Sequence, residues 1–244
     1  SEINDLISSI QKIERNTLSY MDNLKEMTMS QERLATELQL ANHIQASVLP
    51  YLFPPFPDRQ EFDIYASNTP AKEVGGDFYD FFLIDDDHLG VVMADVSGKG
   101  IPAALFMMAT KILIKTCSLI KNKPSEILTM VNEEVCKTNS DDMFVTAWFG
   151  ILNVQTGEIL ASNAGHNYPI VGRKYGDYEF IHDKHGLVIG ASDMAIYRDY
   201  TIKLDKGDTL FLYTDGVTEA NKANNEMFGD ERLLQTLNST KGHN

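Results

Sequence analysis

The chain of 244 residues has only two cysteines and one tryptophan, no long apolar run, and fewer basic than acidic residues. Each shortage excludes something. Cys117 and Cys136 stand in helical patterns without paired ligand spacing, which excludes a disulfide framework and a zinc site and reads as two reduced, buried thiols. Lysines and arginines number 21 against 35 aspartates and glutamates, a formal charge of −14, so there is neither a nucleic-acid footprint nor a polybasic membrane anchor. No apolar run approaches the length of a membrane span and the start carries no signal-peptide pattern, so the expectation is a soluble, cytoplasmic chain. A nucleotide-binding P-loop is excluded as well. Around Ser97-Gly98-Lys99-Gly100, Met93 stands where the motif needs its first glycine, and Gly100 follows the lysine in place of Ser or Thr. No Ser-His-Asp set or activated cysteine is recognisable either.

Proline and glycine are absent before Pro50, and that absence defines the first element. A heptad runs unbroken through Ile3, Leu6, Ile10, Ile13, Thr17, Tyr20, Leu24, Met27, Gln31, Leu34, Leu38, Ala41, Gln45 and Val48, the pattern of a long coiled-coil helix. Its last two turns read as packing on a globular domain and the remainder as the seam of a parallel homodimer, with Thr17 and Gln31 fixing register. Four prolines in Pro50–Pro57 then stop the helix. The organisation expected is a coiled-coil helix over 1–49, a proline-rich linker over 50–60 and a domain over 61–244.

Within that domain FDIYAS, DFYDFFLI and LGVVMADV read as strands, with Asp85-Asp86-Asp87 as a solvated hairpin tip. A helix starts at Pro102 with a stripe of Leu105, Met108, Ile112 and Leu119, and a second follows Pro124 with Ile127, Leu128, Val131 and Val135 inward. Six further strands and a last helix near Gly229 complete an α+β layered sandwich of two antiparallel sheets with helices outside.

Three aspartates stand out because each joins an apolar strand to a glycine-containing turn. Asp77 follows Gly75 and Gly76, Asp95 precedes Ser97-Gly98-Lys99-Gly100, and Asp215 ends LFLYTD ahead of Gly216. Carboxylates at strand ends beside glycines suit a hard divalent cation, which takes oxygen ligands and needs close approach of backbone carbonyls and waters. Singly, each is also an ordinary Asp-Gly turn.

Together with NAGHNYP (163–169), the stretches EVGGDFYDF (73–81), ADVSGKGIPAAL (94–105) and YTDGVTEA (213–220) resemble the SpoIIE/RsbU branch of the type 2C (PPM) metal-dependent serine/threonine phosphatases. The resemblance implies a four-layer α/β/β/α sandwich with two Mg2+ or Mn2+ ions. Asp95 would bridge both, Asp77 and the Val96 carbonyl would hold one, and Asp215 the other. It implies activity through the metals, Lys72 as a phosphate-facing cation, and a phosphorylated STAS-type anti-sigma-factor antagonist as substrate in bacterial partner switching. The opening SEINDLISSIQKI resembles the end of a HAMP module, which implies an upstream sensor and a membrane anchor in a parent protein. The chain departs from the family in two places. Ser97 stands where many type 2C enzymes have a histidine, and His166 reads as structural, so no group is assigned to protonate the leaving oxygen. Nothing after Tyr213 supplies the family's Asp-Asp motif, so the chain either stops short of that helix and strand or is a divergent member, in the second case a dimeric scaffold with a vestigial metal site.

Overall fold

The computed structural model describes residues 2–140, 142–221 and 226–240. The closing Lys241–Asn244 of the polar C-terminal end lies outside the described residues. Helix α1 spans Glu2–Val48. Contacts divide the chain into two compact units, one reaching to Ile44 and one from Gln45 onward. In the first unit the heptad side chains Ile3, Leu6, Ile10, Ile13, Leu24, Met27 and Leu34 are all exposed. The polar seam residue Thr17 turns its hydroxyl back to the Ile13 carbonyl, 2.9 Å away.

The second unit is built on a five-stranded antiparallel sheet in the order β1-β2-β3-β4-β7, from β1 (Phe78–Leu83), β2 (His88–Val96), β3 (Val145–Asn153), β4 (Glu158–Ala164) and β7 (Asp199–Lys203). A second sheet joins β6 (Tyr178–Phe180), β5 (Ile170–Gly172) and β8 (Thr209–Phe211) in that order. Strand β3 shows why two layers meet on each side of the large sheet. Val145, Ala147, Phe149 and Ile151 pack in the cluster that includes helices α2 (Ile101–Ser118) and α3 (Pro124–Thr138), while Trp148 packs with Ile159, Val171 and Ile202 between the sheets. A third cluster, around Ile170, Tyr213 and Leu233, lies between the small sheet and helix α5 (Gly229–Ser239). The three clusters are the three interfaces of a four-layer α/β/β/α sandwich, the fold expected. A one-turn helix α4 (Asp215–Thr218) precedes α5.

Five details differ from expectation. FDIYAS forms no strand, although Phe62, Ile64 and Ala66 are half-buried and alternate with exposed neighbours. Strand β8 stops at Phe211, so Asp215 begins α4 and does not end a strand. On α2 the expected stripe is mostly the outer one: Leu105 is 60% and Ile112 59% exposed while Met108 is half-buried against the core, which Ala103, Met107, Ile114 and Cys117 face. That two-sided apolar character makes α2, with 18 residues at a mean hydropathy of 1.3, long and apolar enough to cross a membrane, contrary to the sequence expectation. Its inner face is packed against α3 and the sheet. There Lys111 reaches Asp80 of β1 at 2.7 Å, a buried pair that is costly to break because either charge alone would be stranded. Finally, Cys136 is half-buried, whereas Cys117 is buried; both are free thiols.

Candidate active site

Asp95 is the penultimate residue of β2, and the pleat decides where it points. Ala94 and Val96 join the cluster under the helices, so Asp95 between them faces the space between the sheets, opposite Thr146 of β3. Asp77 immediately precedes β1 and is bonded to Asp95 through their side chains. The loop before α4 joins them, since Thr214 Oγ1 donates to Asp77 Oδ2 at 2.6 Å. The structure therefore brings Asp77, Asp95 and Asp215 together from three separated stretches. Lys72 is exposed and does not line the adjoining cavity.

The electrostatics of this group follow from burial without a counter-charge. Asp95 is pushed up to about 8, first by burial, then by its hydrogen bond to Asp77 and by the charges of Asp77, Asp215 and Glu219. Asp215 is raised as well, by burial and by Glu219 and Asp77. Glu219 lies within YTDGVTEA and has no role in the sequence reading; its place one turn beyond Asp215 on a helix is the signal that would have found it.

Backbone geometry supplies a further oxygen. A Cβ on Gly76 would stand 2.7 Å from the Val96 carbonyl oxygen, so only glycine lets this carbonyl lie against the Asp77 loop. Gly98 and Gly100 have φ of 85° and 80° with open space around them, so they serve the turn itself and not a close approach. Ser97 pins that turn, since its backbone N–H donates to the Phe144 carbonyl and its Oγ accepts from the Phe144 N–H, at 2.8 and 2.9 Å. On the other flank Gln45 is buried, donating to the Gly75 carbonyl at 2.6 Å and accepting from its N–H at 3.1 Å. Gln45, in the last two turns that the heptad reading packs on the domain, is thus a brace for the Asp77 loop.

As placed, no three His, Cys, Asp or Glu side chains among the described residues converge tightly enough to enclose one ion. The donor chemistry nonetheless fits a hard dication. Mutually repelling carboxylates, one kept protonated by its neighbours, and a carbonyl held open by Gly76 are oxygen ligands whose charge a cation would relieve.

Beside the carboxylates is a cavity of about 410 Å³ lined by residues that include Asp95, Thr146, His166, Tyr168, His185 and Asp215. His166 of the NAGH turn is 3% exposed, and both ring nitrogens are engaged. Nε2 must donate to the Tyr213 carbonyl at 3.1 Å, which leaves Nδ1 to accept from Thr146 Oγ1 at 2.9 Å. Burial holds its pKa down at about 4, only partly opposed by the Tyr213 carbonyl and Asp77. The turn is closed by Asn163, whose Oδ1 accepts from the His166 N–H at 2.7 Å and whose Nδ2 donates to the His166 carbonyl at 3.1 Å. Asp230, at the start of α5, also lines the cavity, and its Oδ1 accepts from the Tyr213 hydroxyl at 3.3 Å.

Comparison with known proteins agrees with this fold. The profile of the family described as Stage II sporulation protein E (SpoIIE) matches residues 85–244. The chain is 32% identical over 255 aligned residues to the protein IcfG of Synechocystis sp., covering 91% of this chain and 39% of that one. It is 30% identical to the phosphoserine phosphatase RsbU of Bacillus subtilis, covering 80% of this chain and 57% of RsbU. Among solved structures, the SiaA-PP2C domain of Pseudomonas aeruginosa superposes with a TM-score of 0.70 at 22% identity, over 86% of this chain and 84% of that domain. The chain thus spans well under two thirds of either of these curated relatives, and the match of family profile, relatives and layered fold has one meaning: the chain belongs to the SpoIIE family.

Proposed function

We propose that the chain is a metal-dependent phosphatase that removes phosphate from serine or threonine of a small signalling protein. The observation that carries this reading is the meeting of half-buried Asp77 and Asp95 with the more exposed Asp215 in one mutually repelling group, with Asp95 and Asp215 on the wall of a cavity. In this reading Asp95, Asp77, the Val96 carbonyl and Asp215 would hold two Mg2+ or Mn2+ ions, with Asp95 serving both. When bound, such ions supply a water acidified to near-neutral pKa and neutralise phosphoryl oxygens. The chain's own residues hold the ligands in place: Thr214 orients Asp77, Gln45 fixes Gly75, and Ser97 anchors the turn that presents Val96.

The similarity to RsbU, named a phosphoserine phosphatase, supports a phosphoserine substrate, and a phosphorylated STAS-type protein of a partner-switching pathway is the partner proposed. The exposed heptad of α1 supports a parallel homodimer in the cytoplasm, joined in its parent protein to an upstream sensor module. The test is phosphate release from a serine-phosphorylated STAS protein. Release that requires Mn2+ or Mg2+ and stops on chelation is expected; no release, or release indifferent to chelation, contradicts the reading.

A further inference from the structure

Hydrolysis of a serine phosphate needs a proton for the leaving oxygen, because a serine alkoxide is a poor leaving group. The groups nearest the carboxylates do not supply it. His166 is locked neutral by its two ring partners, the Ser97 hydroxyl is no stronger an acid than the serine it would protonate, and burial pushes the Tyr213 phenol up to about 12. One other histidine lines the same cavity as Asp95 and Asp215, and that is His185.

We propose that His185 is the general acid of this site, oriented by Asp183. Among the described residues, Asp183 Oδ1 and His185 Nε2 are both buried without hydrogen-bond partners, and they face each other at 3.4 Å. The carboxylate is held from behind: Asn163 Nδ2 donates to Oδ2 at 3.1 Å, and Tyr200, whose hydroxyl accepts from Trp148 Nε1 at 2.7 Å, stands close enough to feel its charge. The Asp183 side chain is 1% exposed and, among the described residues, no lysine or arginine pairs with it, so His185 is the side chain that stands opposite its carboxylate. The ring itself is set by Tyr168, which meets it edge to face at 4.5 Å and 88° and meets His182 in the same way at 4.6 Å. With Nε2 turned to Asp183, Nδ1 remains for the substrate. This is a buried carboxylate orienting a histidine on a cavity wall, the arrangement by which general acids are positioned.

The assignment rests on the phosphatase reading above. In the step it describes, a water oxygen bonds to phosphorus as the bond from phosphorus to the serine Oγ breaks. The His185 proton passes to that Oγ and gives neutral serine, and the proton shed by the water restores the imidazolium. The sum is phosphoserine plus water to serine plus phosphate.

The experiment compares His185→Gln with the unaltered chain on a phosphoserine peptide and on p-nitrophenyl phosphate, whose nitrophenolate leaves as a stable anion and needs no acid. Removal of a general acid is worth roughly 10²-fold or more, so the loss on the phosphoserine peptide should exceed that on p-nitrophenyl phosphate by about that factor. Mn2+ affinity measured by calorimetry should not change. Asp183→Asn should move the same ratio in the same direction. Equal losses on both substrates, a lowered Mn2+ affinity or an unaltered ratio would overturn the assignment. An unaltered chain that turns over neither substrate would overturn the phosphatase reading, and the assignment with it.

Discussion

His166 shows how one buried side chain makes stability depend on pH. Its folded-state pKa of about 4 lies below the ordinary 6.5, so between those values the unfolded chain takes up a proton that the folded one refuses. The stabilisation from burying a neutral imidazole is therefore fully present above pH 6.5 and lost as pH falls toward 4, amounting to about 3 kcal/mol over that window. Urea unfolding of the unaltered chain and of His166→Gln should show the difference between them shrinking as pH drops from 6.5 to 4. A constant difference would contradict the locked tautomer. At this scale the sequence was informative where chemistry leaves a local mark. Asp77 and Asp95 sit near glycines that the backbone requires, Gly76 and the turn of Gly98 and Gly100, Asp215 precedes Gly216, and His166 was legible as structural from its Gly-His turn. Asp183 and His185 were not, because their pairing is meaningful only through Asn163, Tyr200 and Trp148, which approach from strands far away in the chain.

At the scale of elements, α2 separates periodicity from burial. Its sequence contains two apolar stripes, and the larger residues of the outer one outweigh the alanines that fit closely against the sheet. The core face mixes small residues with Met107 and Ile114 where α2 packs on β1 and β2, and Lys111 there reaches Asp80. Met107→Ala should accordingly cost about 2–5 kcal/mol, whereas Leu105→Gln should cost no more than about 0.5 kcal/mol. Denaturant melts of the two variants check the assignment, and a Leu105→Gln variant that is the more damaged of the pair would contradict it. The segment FDIYAS teaches the complementary lesson. Its Phe62, Ile64 and Ala66 alternate half-buried with exposed neighbours, yet alternation does not say whether a partner strand lies within hydrogen-bonding reach, and none of the strands described pairs with it.

At the scale of the whole molecule, α1 is a helix of 47 residues that carries Ile, Leu and Met on its surface at heptad spacing. Burying each such side chain is worth roughly 1.5–3 kcal/mol before ordering costs, so a parallel seam would gain considerably from a second copy. Replacing Leu24 and Leu38 together by Asp should yield monomers in sedimentation, and an unaltered chain already monomeric at tens of micromolar, on the order expected for a weak coil, would contradict the seam. The central claim concerns the carboxylates between the sheets. It is tested most directly by calorimetric titration of Mn2+ into the unaltered chain and into Asp95→Asn, with folding of both checked by circular dichroism. The account predicts that the unaltered chain binds Mn2+ and that Asp95→Asn, still folded, loses that binding; equal Mn2+ binding by the two would contradict it.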